Sequence, residues 1–398
     1  MGKLFIEDLN LDNKKVILRV DFNVPLKNLK VANDKRIRAA LPTINYLLSK
    51  NASLILISHL GRPKGKIVPE LSLKPVAAHL SKLINKKVKF VDDCIGQKVK
   101  NEISKLKPGE ILVLENLRFR KDETENNPEF AKELASLADI YVNDAFGTAH
   151  RAHASTEGIT KFISKAASGY LLKKEMDYLG KSLENPQRPF TAIIGGAKIS
   201  GKIDVIDSLL PKVDYLLIGG GMASTFLKAK GFETGKSLIE KDKVSLAKKL
   251  LSKSKGKIIL PIDLVITDSL DFDLGIAGSI KDVNSSHIPK EMMAVDIGQK
   301  TIEEFSKIIK KSKTIVWNGP MGVFEIEKLS RGTFQIAKAV ADASANGSIT
   351  IIGGGDSASA IEKAGLSEKV SHVSTGGGAS LEFLEGKKLP GVQALSDI

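Results

Sequence analysis

Five side chains in the first half of the chain are suited to gripping a small polyanion: Arg36, His59, Arg62, Arg118 and Arg151. An arginine fork meets a carboxylate or a phosphate through two parallel hydrogen bonds. Arg36 opens a helical pattern, and the other four come soon after short apolar runs. Asp21 and Asn23 (VDFN), Gly61 (SHLGRP), and Asp144, His150 and His153 (NDAFGTAHRAHAS) share such positions. Any one arginine there reads more simply as half of a surface ion pair. The whole set points to a ligand, because open parallel sheets bind ligands at the carboxyl ends of their strands. His150 and His153 lie three apart with no cysteine or third histidine nearby in sequence, so hydrogen bonding is expected of them rather than metal ligation.

In the second half the same positions hold glycine: Gly195-Gly196, Gly219-Gly220-Gly221, Gly319-Pro320, Gly353-Gly354-Gly355 and Gly376-Gly377-Gly378. Glycine lets backbone approach a ligand closely, and helix N-termini attract anions. One such run is an ordinary turn; five in one half read as a nucleotide cradle. Lys198 and Lys202 stand beside Gly195-Gly196, where a transferring phosphate can meet them. Asp356 follows a glycine run and is placed either to hold the Mg²⁺ of a nucleotide or to cap a helix. Glu325 (NGPMGVFE) suits ribose hydroxyls, or is a solvated loop acid. No glycine run completes G-x-G-x-x-G, since Ser224 and Ala358 occupy the third place. Gly196–Lys202 matches most of a Walker loop, but Ile203 stands where that loop needs Ser or Thr for Mg²⁺.

These residues need strands and helices to hold them. Apolar runs at Lys15–Asp21, Ser53–Ser58, Val88–Val91, Ile111–Leu114 and Ile140–Val142 read as buried strands. Between them, helical spacing covers Arg36–Ser49, Leu73–Leu83, Val99–Leu106 and Glu129–Leu137. The second half repeats the rhythm, with strands at Thr191–Ile194, Tyr215–Ile218, Ile258–Leu260, Ile315–Trp317, Ile349–Ile352 and Val370–Val373. Near-continuous apolar strands alternating with helices predict parallel sheets covered on both faces. The expected fold is α/β: two doubly wound, Rossmann-like parallel-sheet domains joined by a helical hinge. The junction falls in Ser168–Pro189, helical by period at first and turn-forming at Asn185-Pro186.

Composition narrows the function classes. The 398 residues suffice for two to three domains, at about 150 residues each. With 60 basic and 46 acidic residues the net charge is +14, which favours acidic partners. Aromatics at 5% argue against base-stacking platforms for single-stranded nucleic acid. Cys94 is the single cysteine, so no internal disulfide or thiolate metal cluster can form. Uncharged stretches reach about 13 residues, short of the about 20 that a spanning helix needs. The start, MGKLFIEDLN, has no apolar signal region. A soluble, cytoplasmic protein is expected.

Nine motifs in register, VDFNVP, SHLGRPKG, LENLRF, GTAHRAHAS, GGAK, IGGGMA, WNGPMGVFE, GGGDSAS and STGGGAS, closely resemble phosphoglycerate kinases over essentially the whole chain. The resemblance implies a monomer that closes about a hinge and transfers a phosphoryl group between 1,3-bisphosphoglycerate and ADP, with Mg²⁺ on the nucleotide. It implies a 3-phosphoglycerate site of Asp21, Asn23, Arg36, His59, Arg62, Arg118 and Arg151. Arg36 would neutralise the carboxyl and transferring group. Lys202 would stabilise the phosphoryl in flight, with backbone N–H groups of Gly354, Gly355, Gly377 and Gly378. Gly196, Lys198, Lys202, Gly220, Asn318, Pro320, Glu325, Gly353, Gly354, Gly355, Asp356 and Ser357 would hold the nucleotide, Asp356 through its metal. The family's C-terminus folds back, so the expected domains are 1–170 with 389–398, a hinge at 171–186, and 187–388. The chain departs from many relatives at Gly201, where they carry Asp beside the lysine.

Two other classes compete. A P-loop NTPase built on Gly196–Lys202 would hydrolyse ATP without a triose acceptor. A basic nucleic-acid-binding protein would show steeply salt-dependent binding, but no recognition module or aromatic basic patch is visible. No obligatory nucleic-acid partner and no membrane partner is expected.

Overall fold

The computed structural model describes residues 2–398, of which 181–183 are described by backbone only. The chain divides into two compact units, 2–176 with Lys388–Ile398, and Asp177–Lys387.

The first unit is built on β1 (Lys15–Arg19), α1 (Lys35–Ser49), β2 (Ser53–Ile57), α2 (Lys74–Leu83), β3 (Val88–Val91), α3 (Gln97–Ser104), β4 (Ile111–Leu114), α4 (Pro128–Ala135), β5 (Ile140–Asn143) and β6 (Ala166–Ser168). Its sheet runs β3-β4-β2-β1-β5-β6, all parallel. The strands are apolar on both faces because helices cover both. Helix α1 shows the logic on its side: Ile37, Ala40, Ile44 and Leu47, spaced three and four apart, are the residues it buries. The chain's last turn, around Pro390–Gln393, returns to this sheet: Asn143 Nδ2 donates to Gly391 O at 3.1 Å, and Lys3 pairs with Asp397 at 2.9 Å.

Helix α5 (Tyr170–Glu184) carries the chain from one unit into the other. Its start is pinned in the first unit. Thr43 Oγ1 accepts from Tyr170 N at 2.9 Å, and Asp144 Oδ1 accepts from Leu172 N at 3.1 Å. Asp144 is fully buried, which pushes its carboxyl up to about 7. Further along, Tyr178 stacks on His372 of the second unit with ring centroids 4.9 Å apart.

The second unit has β7 (Phe190–Ile194), α6 (Ile203–Leu209), β8 (Tyr215–Ile218), α7 (Met222–Ala229), α8 (Val244–Lys253), β9 (Ile258–Ile259), β10 (Asp263–Thr267), β11 (Ile280–Asn284), β12 (Met293–Ile297), α9 (Gln299–Lys311), β13 (Thr314–Asn318), α10 (Arg331–Ala345), β14 (Ile349–Gly353), α11 (Gly355–Lys363), β15 (His372–Val373) and α12 (Gly377–Leu384). Its parallel sheet is ordered β9-β8-β7-β13-β14-β15. The core between sheet and helices centres on Trp317, Phe305 and Ile336, all fully buried.

Three features depart from the expected elements. Strands β10, β11 and β12 form a separate antiparallel sheet, ordered β11-β10-β12. Strand β11 has four exposed residues of five, so it shows no apolar run. Residues Ala166–Ser168 add a sixth strand to the first sheet with almost no hydrophobic signal. Helix α12 begins inside the last glycine run, where helix propensity is poorest.

Candidate functional site

The carboxyl end of the first sheet gathers the residues that the strand-end rule singles out. Asp21, just past β1, holds Arg36 of α1: Arg36 Nη1 lies 3.0 Å from Asp21 Oδ2 and donates to Asn23 O at 3.1 Å. Asn23 in turn accepts at Oδ1 from Gly61 N, 2.9 Å. The loop after β2 is tied to the loop after β4 by Asn116. Its Nδ2 donates to Leu60 O at 2.7 Å, and its Oδ1 accepts from Leu60 N at 3.1 Å. Arg118 donates from Nη1 to Gly61 O at 2.9 Å, while its buried Nε has no partner. Burial lowers the Arg118 pKa to about 10, and the nearby Arg19 and Arg151 push the same way. Arg151 donates from Nε to His150 Nε2 at 3.1 Å.

Arg62, Arg118 and Arg151 line one cleft of about 440 Å³ with Lys64, Lys121 and Thr124. A guanidinium N–H that is buried without a partner beside such a cleft suits an anion that completes it. Lys64 lies in the SHLGRPKG motif and Lys121 just past LENLRF, yet neither stood out in the sequence, since a lysine beside a charged run reads as solvated surface. His59 is 3% exposed under this rim, and its Nδ1 lies 3.2 Å from Nη2 of Arg19. Burial drives its pKa well below the usual histidine value, and Arg19, Arg118 and Arg36 act in the same direction.

The carboxyl end of the second sheet is a fabric of crossing backbone. Gly195 N donates to Asn318 O and Gly196 N to Pro320 O, both at 3.0 Å; Gly220 N donates to Met321 O at 2.7 Å. Only glycine fits at Gly319: its φ is +97°, and a Cβ there would lie 2.2 Å from Gly195 O. The loop 319–325 is held from behind. Trp317 Nε1 donates to Gly319 O at 2.7 Å, Met321 N to Thr333 Oγ1 at 3.0 Å, and Val323 N to Val295 O at 2.7 Å. Asp296, buried and pushed up to about 7 by that burial, accepts from Gly332 N at 2.6 Å and so fixes the start of α10 behind the same loop. Glu325 is exposed at the end of this loop and Pro320 is buried.

Two helix N-termini meet here. Gly354, with φ +87°, caps α11, and a Cβ on Gly377 would come within 3.1 Å of Gly355 N, so α12 starts beside α11. Unpaired N–H groups at both starts point a partial positive charge at the same place. Gly353 ends β14, Gly378 is exposed in the first turn of α12, and Ser357 Oγ accepts from Gly319 N at 2.5 Å. Lys202 stands just before α6, and its ammonium donates to Asn318 Oδ1. The buried Nδ2 of Asn318 has no partner. Burial lowers the Lys202 pKa, opposed by Asp356 and Glu385. Lys198 is exposed in the loop after β7.

Asp356 sits in the first turn of α11, exposed, while the capping position is Gly354. Among the described residues no group of three or more His, Cys, Asp or Glu is arranged to hold a metal alone. A single open carboxylate at a phosphate-type cradle fits a cation that arrives with a nucleotide, since Mg²⁺ takes one or two carboxylates plus phosphate oxygens. A larger groove, about 820 Å³, runs between the far ends of α10 and α11 and contains none of these residues.

Comparison with known proteins places the chain. The phosphoglycerate kinase family model matches residues 6–387. The chain is 55% identical over 400 residues to the phosphoglycerate kinase of Chloroherpeton thalassium and 56% identical over 407 residues to that of Koribacter versatilis, each covering 100% of both chains. Among solved structures, phosphoglycerate kinase from Coxiella burnetii superposes with a TM-score of 0.90 at 44% identity, covering 99% of this chain and 98% of that one. The Pyrococcus horikoshii enzyme gives 0.84 at 33%, covering 98% of each.

Proposed function

The chain belongs to the phosphoglycerate kinase family, and from that premise we propose how its two units divide the reaction. It is a glycolytic phosphotransferase that uses a carboxyl group as acceptor. The acyl phosphate of 1,3-bisphosphoglycerate passes its phosphoryl group to ADP. The bond from phosphorus to the acyl oxygen breaks, a bond to the nucleotide oxygen forms, and 3-phosphoglycerate leaves as its carboxylate. Such transfers ask for positioning and charge neutralisation more than covalent chemistry.

The first unit binds the triose acid. Arg62, Arg118, Arg151 and His59 take its phosphate, and Arg36, oriented by Asp21 and Asn23, faces the carboxyl group from which the phosphoryl departs. In the second unit Gly196, Lys198, Gly220, Asn318, Pro320, Glu325, Gly353 and Ser357 hold the nucleotide. Lys202 and the N–H groups of Gly354, Gly355, Gly377 and Gly378 face the phosphoryl oxygens as charge spreads over them. Mg²⁺ on the nucleotide neutralises phosphate charge when bound, and Asp356 is the residue that holds it. The two units close about α5, excluding water that would otherwise accept the phosphoryl group. The enzyme works as a cytoplasmic monomer.

One observation carries this reading: guanidinium groups around a cleft at the end of one parallel sheet, and paired helix N-termini beside a half-buried lysine at the end of the other. A coupled assay tests it. ADP formation should require ATP, 3-phosphoglycerate and Mg²⁺ together; steady ATP hydrolysis without the acid would favour the P-loop reading instead. Closure has its own test in small-angle scattering. The radius of gyration should fall when both substrates are present and hardly change with either alone; an unchanged radius with both would rule closure out.

A further inference from the structure

Beneath the cationic rim lies a hydrogen-bonded chain with no exposed member. Arg19, at the end of β1, is 0% exposed. Its Nε donates to Ser155 Oγ at 2.9 Å, its Nη1 to Val20 O, and its Nη2 lies 3.2 Å from His59 Nδ1. The Ser155 hydroxyl donates onward to Glu123 Oε1 at 2.7 Å, and Ser155 N donates to Glu123 Oε2 at 3.0 Å. Tyr141 Oη donates to Ser155 O at 2.9 Å. Glu123 and Ser155 are also 0% exposed.

Donor chemistry assigns the protons along this chain. A guanidinium has five N–H donors and no acceptor. The contact from Arg19 therefore requires a lone pair on His59 Nδ1, which leaves the ring proton on Nε2. Ser155 Oγ accepts the Arg19 N–H bond and so must send its own hydrogen to Glu123. Both carboxylate oxygens of Glu123 accept, as an ionised group does. Burial raises the Glu123 pKa, opposed by Arg19 and the two Ser155 donors. Of the other groups facing His59, Arg118 and Arg36 are cations that disfavour a second proton on the ring, and His153, whose own pKa burial lowers to about 4, stands neutral beside them. His153 Nδ1 is 3.8 Å from Glu123 Oε1.

We infer that Glu123 and Ser155 are positioning residues that act through Arg19 to hold His59 as the neutral Nε2–H tautomer, so that His59 meets the substrate as a directed N–H donor rather than as a cation. The inference rests on the reading that His59 contacts 3-phosphoglycerate. On this view the positive charge of the rim is carried by arginines and lysines alone and is constant across neutral pH.

The test uses the full-length protein labelled with ¹⁵N in its six histidines, with His59 assigned by its loss in His59→Gln. Wild-type His59 should show a pyridine-type Nδ1 and a pyrrole-type Nε2 from about pH 6 to about pH 8. An imidazolium or an Nδ1–H form there overturns the assignment. Ser155→Ala should add the second tautomer and raise KM for 3-phosphoglycerate about tenfold while kcat stays within about twofold. Ser155→Thr, which keeps the hydroxyl, should restore both. If the alanine variant does not fold, Glu123→Gln is read in the same two ways. A folded variant with wild-type tautomer and KM overturns the positioning role. Should His59→Gln bind 3-phosphoglycerate as tightly as wild type, the substrate contact falls, whereas the spectrum still decides the tautomer.

Discussion

Arg36→Ala should lower kcat/KM for 3-phosphoglycerate about a thousandfold while the melting temperature moves by only a few degrees. The size follows from removing one partner of a hydrogen-bonded charge pair, which costs about 2–5 kcal/mol or more. The small change in stability follows from geometry. The Arg36 side chain is 35% exposed, and its contacts are the Asp21 carboxylate and one backbone oxygen. Alanine at this position removes no core packing and leaves the α1 residues that are buried, Ile37, Ala40, Ile44 and Leu47, untouched. Arg36→Lys keeps the charge but loses the fork, so it should recover only part of the activity. Steady-state kinetics with a melting curve on the same preparations decides the matter. Near-normal turnover in the alanine variant would remove Arg36 from the site.

Lys202→Ala should separate binding from chemistry. An ammonium that meets charge developing in the transition state should lower kcat about 100- to 1,000-fold when it is removed. The equilibrium Kd for ATP should change far less, because interactions stronger in the transition state than in the ground state act on rate. The structure supplies two reasons to expect this split. Lys202 is held against Asn318 rather than reaching into solvent, and burial already weighs against its charged form. A lysine destabilised in the resting enzyme gains most when negative charge moves next to it. Its loss should not destabilise the fold, since a desolvated charge goes with it. An ATP Kd that rises in step with the fall in kcat would make Lys202 a nucleotide-binding residue instead. Gly201, with open space around the place of a Cβ, leaves room for an Asp there. Gly201→Asp is the natural companion variant.

Much of the candidate site was legible in the sequence. Arg62, Arg118 and Arg151 stood out because basic residues after strands have little reason to recur there unless they serve a ligand, and Arg36 because it opens a helix near the same rim. The glycine runs stood out because few side chains tolerate positive φ and close backbone crossings, as at Gly319 and Gly354. Other parts were not readable. Asp296 is one acid inside an apolar run, MMAVDIG, and nothing in that run ties it to a distant loop, yet it is buried behind the 319–325 loop. The antiparallel sheet over 263–297 was missed because its outer strand, Ile280–Asn284, is mostly exposed and polar.

The residues alone determined the periodicity, the two parallel sheets, and which strand ends carry arginine and which carry glycine. Those are local properties: each follows from side-chain spacing within about ten residues and from what the backbone tolerates. Tertiary structure alone decided which charges lie inside. Arg19 reads as one more residue of a strand and Glu123 as part of a solvated acidic run, KDETENN. They are joined through Ser155, which lies 136 residues from the first and 32 from the second. A charge can be buried only where a partner is already waiting, and a partner so distant along the chain is brought there by the fold.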